Sequence, residues 1–183
     1  MQQTQESLRD YEIDSAHSNV HFSVRHLMIS KVRGTFSAIS GQIVLPPDAL
    51  VPLSVTVAID ASTIDTREPQ RDAHLRSADF LDTEHFPTMR FASERVSAID
   101  LGSFEVIGDL EIRGTRRPVV IRAALAGFGK DPWGNDRVAF EASLKISRSA
   151  WGLTWNQALE TGGIAVGDEI EITIDIEAIP RPG

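Results

Sequence analysis

Five histidines, His17, His21, His26, His74 and His85, are the side chains of this chain best suited to hold a metal or move a proton. Their spacing argues against a shared ion. Val20, Phe22, Val24 and His26 fall on one face of a strand and His21 on the other, so His21 and His26 converge only across a bulge. No cysteine is present to complete a thiolate site or serve as a nucleophile. Asp72 and His74, two residues apart, offer an acid–base pair, but no nucleophile elbow or phosphate loop accompanies them. Gly127-Phe128-Gly129 opens like a dinucleotide fingerprint, yet Pro132-Trp133 stands where a helix must follow, which reads as a hairpin loop. A larger polar group is more telling. Asp14 and His17 at a strand start, with Arg71, Asp72 and His74 in a central insert, are expected to meet at one end of the fold. There they form a latch of charge-assisted hydrogen bonds that pins the insert, a polar mouth that orients a ligand headgroup, or both. No metal and no organic cofactor are expected.

The elements that position these groups are strands. Period-two alternation runs through Leu53, Val55, Val57 and Ile59, and again through Phe104, Val106, Gly108, Leu110 and Ile112. It returns in Val138, Phe140, Ala142, Leu144 and Ile146, and in Ile170, Ile172, Ile174 and Ile176, each set facing away from polar neighbours. Weaker runs lie at 18–26, 29–36, 38–46, 88–96 and 117–128, giving about eight or nine strands. Leu45-Pro46-Pro47-Asp48 and Gly114-Thr115-Arg116-Arg117-Pro118 break the runs as turns, and such short connections favour antiparallel neighbours. Residues 66–87 lack alternation. Pro69 suits a first helical turn and Asp79 the cap of a second short helix, so this stretch reads as a helical insert across one end.

Composition bounds what these elements build. One domain accommodates 183 residues, and 42% hydrophobic content supplies a core. Residues 1–9 carry no pattern and read as a flexible tail. Lys and Arg number 18 against 26 Asp and Glu, a net charge of −8, which argues against nucleic-acid binding and against electrostatic docking on anionic lipid. No 18-residue apolar run occurs to span a bilayer as a helix. The opening MQQTQESLRD has neither a basic start nor an apolar stretch, so a cytoplasmic protein is expected, or a periplasmic one if a precursor was trimmed.

Two-faced strands bury their apolar sides in a two-sheet sandwich or in a closed barrel; a long regular antiparallel series favours the barrel, which has no exposed edges. Small inward residues, Gly41, Gly108, Ala123 and Ala142, fit either a packed core or a ligand cavity. Phe80, Phe86, Trp151 and Trp155 suit apolar ends, whether as lids or as plain packing.

The ordered motifs resemble those of the YceI-like family of polyisoprenoid-binding proteins. They are Tyr11-Glu12-Ile13-Asp14-Ser15-Ala16-His17-Ser18, Val20 to His26, Ile64-Asp65-Thr66 and Arg71 to Asp82, then Phe86 to Ser93, Ile107 to Gly114 and Ile146 to Gly152. The resemblance implies an all-β fold: an extended antiparallel eight-stranded lipocalin-like barrel with a short helical insert covering one end. It also implies an elongated apolar tunnel, a bound long-chain isoprenoid such as a quinone or its precursor, transport or storage rather than catalysis, and a homodimer. An enzyme acting on an amphiphile at the Asp72/His74 end is the alternative. Alternation then assigns the tunnel wall to Phe22, Val24, His26, Val55, Val57, Met89, Phe91, Val106, Ile121, Ala123, Phe140, Ala142, Ile172 and Ile174. The mouth falls to Asp14, His17, Arg71, Asp72 and His74.

Overall fold

A computed structural model of the chain describes residues 8–47 and 49–181. Ten strands and one α-helix follow in order: β1 Arg9–Ile13, β2 Asn19–His26, β3 Ser30–Phe36, β4 Ile39–Leu45, β5 Ser54–Asp60, α1 Pro69–Arg76, β6 Thr88–Asp100, β7 Ser103–Ile112, β8 Thr115–Lys130, β9 Asp136–Ser147 and β10 Val166–Pro180. All pairings are antiparallel, as the short turns require. The ring β1-β4-β5-β6-β7-β8-β9-β10 closes where β1 pairs with β10, an eight-stranded barrel. The expected tail therefore ends sooner, because Arg9 is already opposite Leu45 in the ladder; residues 1–7 lie outside the described residues.

One further strand, β1, accounts for ten segments where about eight or nine were expected. A short 3-10 turn, Ser15–His17, separates β1 from β2, capped by the Asp14 carboxylate accepting from Ala16 N–H at 3.0 Å. One edge of β10 then carries β2 beside Val166–Asp175 and β1 beside Ala178–Pro180. β3 pairs only with β2, whereas β4 pairs with β1 and β5, so the wall opens between β3 and β5. The insert fills that opening. Just before it, the bridge Thr35–Asp65 joins the chain to β3.

Why the insert is helical is local chemistry. Glu68 caps α1 by accepting from Gln70 and Arg71 N–H, and Pro69 sits in the first turn where a missing N–H costs nothing. No second helix forms. Asp79 instead pairs with His74, Oδ2 to Nε2 at 2.8 Å, and residues 78–81 make turns. Gly34 explains how closely this insert packs on the hairpin: a Cβ there would lie 2.4 Å from Phe22 Cζ and 2.9 Å from Thr66 Cγ2. Gly108 is small for another reason, since its Cβ would meet the Ala92 carbonyl at 2.2 Å beside a bulge in β6.

Candidate functional site: an apolar lumen under a helical insert

The barrel is hollow in one half and solid in the other. A cavity of about 210 Å³ lies under the insert. On β10 its wall takes in Ile170, Ile172 and Ile174 and stops before Ile176; on β9 it takes in Leu144 and Ile146 and stops before Ala142. Beyond those rows Phe104, Val106, Val138, Phe140 and Ala178 are buried in the core. Phe104 meets Phe140 edge to face, with ring centroids 5.9 Å apart. Ala123 stands directly opposite Phe104 on one side and Ala142 on the other, so these small residues make room for aromatic rings.

Of the residues assigned to the tunnel wall, Phe22, Val24, Val57, Met89, Phe91, Ile121, Ile172 and Ile174 line the cavity. Val55, Val106, Ala123, Phe140 and Ala142 do not, because they belong to rows in the solid half. His26 does not either, because it ends β2 at the hairpin tip, opposite Ser30. Alternation gives the face a residue occupies but not its depth along the barrel.

The insert adds to the wall: Leu75, Phe80 and Leu81, with Ile64 just before it, line the cavity. It is held by polar anchors. The Asp72 carboxylate, 6% exposed, accepts from Thr66 N–H at 2.9 Å and from Thr66 Oγ1 at 2.5 Å. Arg71 donates to Thr66 Oγ1 and its carbonyl, and Arg76 donates to the carbonyls of Ser62 and Ile64. Arg113 reaches from the barrel to the Ala78 carbonyl at 2.7 Å. His74 packs edge-on against both Phe80 and Trp155, tying α1 to the loop before β10. Arg71 and Asp72 therefore meet on Thr66 and brace the insert from within, while Arg76 and Arg113 tie it to its surroundings. Asp72 and His74 do not make an acid–base pair, since Asp72 binds Thr66 while His74 binds Asp79.

Asp14 and His17 do not join this group. They sit at the β1–β2 kink, where Asp14 Oδ2 accepts from Arg137 Nη1 at 2.7 Å and pairs with His17 Nδ1 at 2.8 Å. Arg137 also donates to Glu177 and Asp131. Its guanidinium is the main reason the Asp14 pKa falls below its ordinary value. Asp14, His17 and Glu177 are close enough to share a cation, but Arg137 already bonds both carboxylates. The 3-10 turn interposed between the strands holds this cluster apart from α1. His21, on the outward face of β2, lies 3.9 Å from Asp175.

Several wall residues were not among those assigned to the tunnel, Phe36, Leu153, Val166 and Arg148 among them. Arg148 is 5% exposed and lines the cavity. Its guanidinium donates to the carbonyls of Leu153, Trp155, Val166 and Gly167 at 2.7–3.2 Å, and burial lowers its pKa. With those bonds made, the side chain shows the cavity only its carbon stem, and no polar atom faces the lumen. A signal was present: the inward count on β9, carried one step past Ile146, arrives at Arg148.

A closed lipocalin-like barrel with an apolar lumen is the class this geometry defines. The YceI-like domain family matches residues 11–178, and the chain belongs to that family. A UPF0312 protein of Vibrio cholerae is 36% identical over 146 residues, 79% of this chain and 77% of its own length. A UPF0312 protein of Staphylococcus epidermidis is 34% identical over 168 residues, 91% of this chain and 95% of its own. Among solved structures, BcnA of Burkholderia cenocepacia superposes with a TM-score of 0.77 at 22% identity, covering 90% of this chain and 98% of BcnA. The YceI protein of Campylobacter jejuni gives 0.74 at 28% identity, covering 86% and 90%. A polyisoprenoid-binding domain of Saccharophagus degradans gives 0.68 at 14% identity, covering 93% and 98%; at that identity it shows the shared fold.

Proposed function

We propose that this protein binds a long-chain isoprenoid lipid in the barrel lumen and carries or stores it, the ligand being an isoprenoid quinone, its precursor or a similar amphiphile. The observation that carries this reading is a cavity inside the barrel that no polar atom faces. From Ile174 to Val166 the wall follows β10 for roughly 25 Å of strand, or roughly 20 Å along a tilted barrel axis. Each methylene moved there from water contributes about 0.8 kcal/mol, so affinity grows with chain length and needs no polar contact. Selectivity among tails of similar length is weak for the same reason. The solved polyisoprenoid-binding domain of the same fold supports this ligand class. Binding rather than catalysis also agrees with Asp72 and His74 being committed to Thr66 and Asp79.

Native mass spectrometry of gently purified protein, with organic extraction of the same sample, tests the reading. A co-purifying isoprenoid, or uptake of an added isoprenoid quinone at one per chain, is expected. Lipid-free preparations that also refuse added quinones defeat it, and turnover of a quinone or ester would convert the protein into an enzyme.

A further inference from the structure

The β2–β3 hairpin ends in an apolar tip that the fold leaves largely in solvent. Leu27, Met28 and Ile29 are 39%, 61% and 81% exposed. Leu27 and Met28 have φ of 51° and 60°, positive values of the kind a type I′ hairpin turn uses and Asn-Gly adopts at least cost. Leu27 N–H bonds the Ala165 carbonyl and Met28 Sδ packs over Gly163, yet most of the Met28 and Ile29 surface stays in water and neither residue is preferred in such a turn, so their use lies outside the isolated chain.

Charge identifies the surface that the tip fits. The chain carries a net −8, yet no Asp or Glu occurs between Ser15 and Pro47. Arg25 stands directly opposite Lys31, and Arg33 follows on the same outward face. Like charges opposite one another weaken a ladder unless an anion answers them. Glu171 answers Lys31 at 2.8 Å, while Arg25 and Arg33 have no ion-pair partner among the described residues. The carboxylates beside them on β10 are occupied: Glu169 by Lys145, Asp168 by Ser147 and Ser149. Cations on β3 also discourage edge pairing, but that leaves the apolar tip unexplained. A second copy of the chain is a poor partner, because a two-fold contact centred on the tip sets these cations against their own images.

We infer that the hairpin is a docking element for an anionic lipid bilayer, with Leu27, Met28 and Ile29 entering the interface and Arg25 and Arg33 meeting the headgroups. The inference rests on the lipid-carrier reading and gives it a route. Phe22 and Val24 of the same β2 line the lumen, so docking by the tip would bring the lumen wall close to the bilayer. The acidic balance argued against such docking only as an average over the chain; the fold gathers the cations on one hairpin.

The test uses the full chain with vesicles of phosphatidylcholine and phosphatidylglycerol in equal parts, and of phosphatidylcholine alone. Wild type is expected to co-sediment with the mixed vesicles, less so as salt rises. The combined change Leu27→Asn, Met28→Gly and Ile29→Thr installs a favourable turn, so its thermal midpoint should hold while vesicle affinity falls at least about tenfold. Arg25→Gln with Arg33→Gln should erase the preference for the anionic vesicles. Farnesol uptake from solution, read in the same samples, should survive both changes. Equal vesicle binding by wild type and the tip variant overturns the inference, as does a wild type that takes up farnesol but binds neither vesicle. Loss of a dimer in sedimentation velocity on changing the tip overturns it too, by making the tip a self-interface. Failure to take up farnesol in every sample strikes the carrier reading instead, and the docking inference with it.

Discussion

Phe104 and Phe140 meet edge to face, 83° between ring planes, in the solid half of the barrel, Phe104 level with Ala142 and Phe140 one inward row beyond it. Above Ala142 the inward positions surround a cavity; from these rings onward they surround each other. One barrel thus answers differently to the same substitution at two depths.

In the solid half, Phe140→Ala removes a ring that its neighbours cannot replace, and a loss of about 3–5 kcal/mol is expected. Val106→Phe overfills the same region and is expected to cost about 1–3 kcal/mol. Denaturant midpoints of delipidated protein check both.

Ile121→Phe and Leu144→Phe place rings in the lumen, where there is room. Their cost is expected to stay below about 1 kcal/mol while uptake of a fluorescent isoprenoid falls steeply. Titration of that probe into each variant is the measurement. Normal uptake by both would move the ligand out of the cavity.

Asp72→Ala leaves the buried Thr66 N–H and hydroxyl without their acceptor, a penalty of about 1–3 kcal/mol. Because the contact is internal to the insert, hydrogen exchange should quicken across residues 60–87 before the barrel strands respond. Ligand release should quicken with it, since Leu75, Phe80 and Leu81 are wall. Uniform exchange over the whole chain would contradict a separately held insert.

Arg148→Lys should fail to restore what Arg148→Met loses. Four carbonyls converge on a planar fork, and an ammonium satisfies fewer of them from a different height. Both variants are expected to lose roughly 3–5 kcal/mol. Thermal melts of the two decide it; a lysine variant as stable as wild type would mean that charge alone matters there.

Acid should unfold the protein partly through the kink cluster. Hydrogen bonds from Asn135, the backbone and Arg137 lower the Asp131 pKa from 3.8 to about 2, and Arg137 lowers that of Asp14. A carboxylate more acidic folded than unfolded contributes its stability above the unfolded value and loses it as pH falls through the folded one. Stability is therefore expected to hold above pH 3.8 on this account and to decline from there towards about 2. Arg137→Gln should remove the Asp14 share of that decline and leave most of the Asp131 share, which Asn135→Ala should reduce, as pH-dependent denaturant midpoints will show.

The sequence by itself determined which way each strand faces. Ile170, Ile172, Ile174 and Ile176 share one face of β10 because successive side chains point to opposite sides, whatever the strand pairs with. It also determined where α1 starts, because Glu68 and Pro69 act on their own turn, and the ordered motifs from Tyr11 to Gly152 marked the family. Depth was a tertiary matter. Whether Ile174 lines a cavity while Ile176 is packed depends on Phe104 and Phe140, which arrive from strands β7 and β9. The polar group divided for the same kind of reason: the Ser15–His17 turn holds Asp14 beside Arg137, a partner 123 positions away, rather than beside Asp72. Periodicity reports the direction of a side chain from its own strand; its neighbours in space come from register and closure, which only the assembled barrel sets.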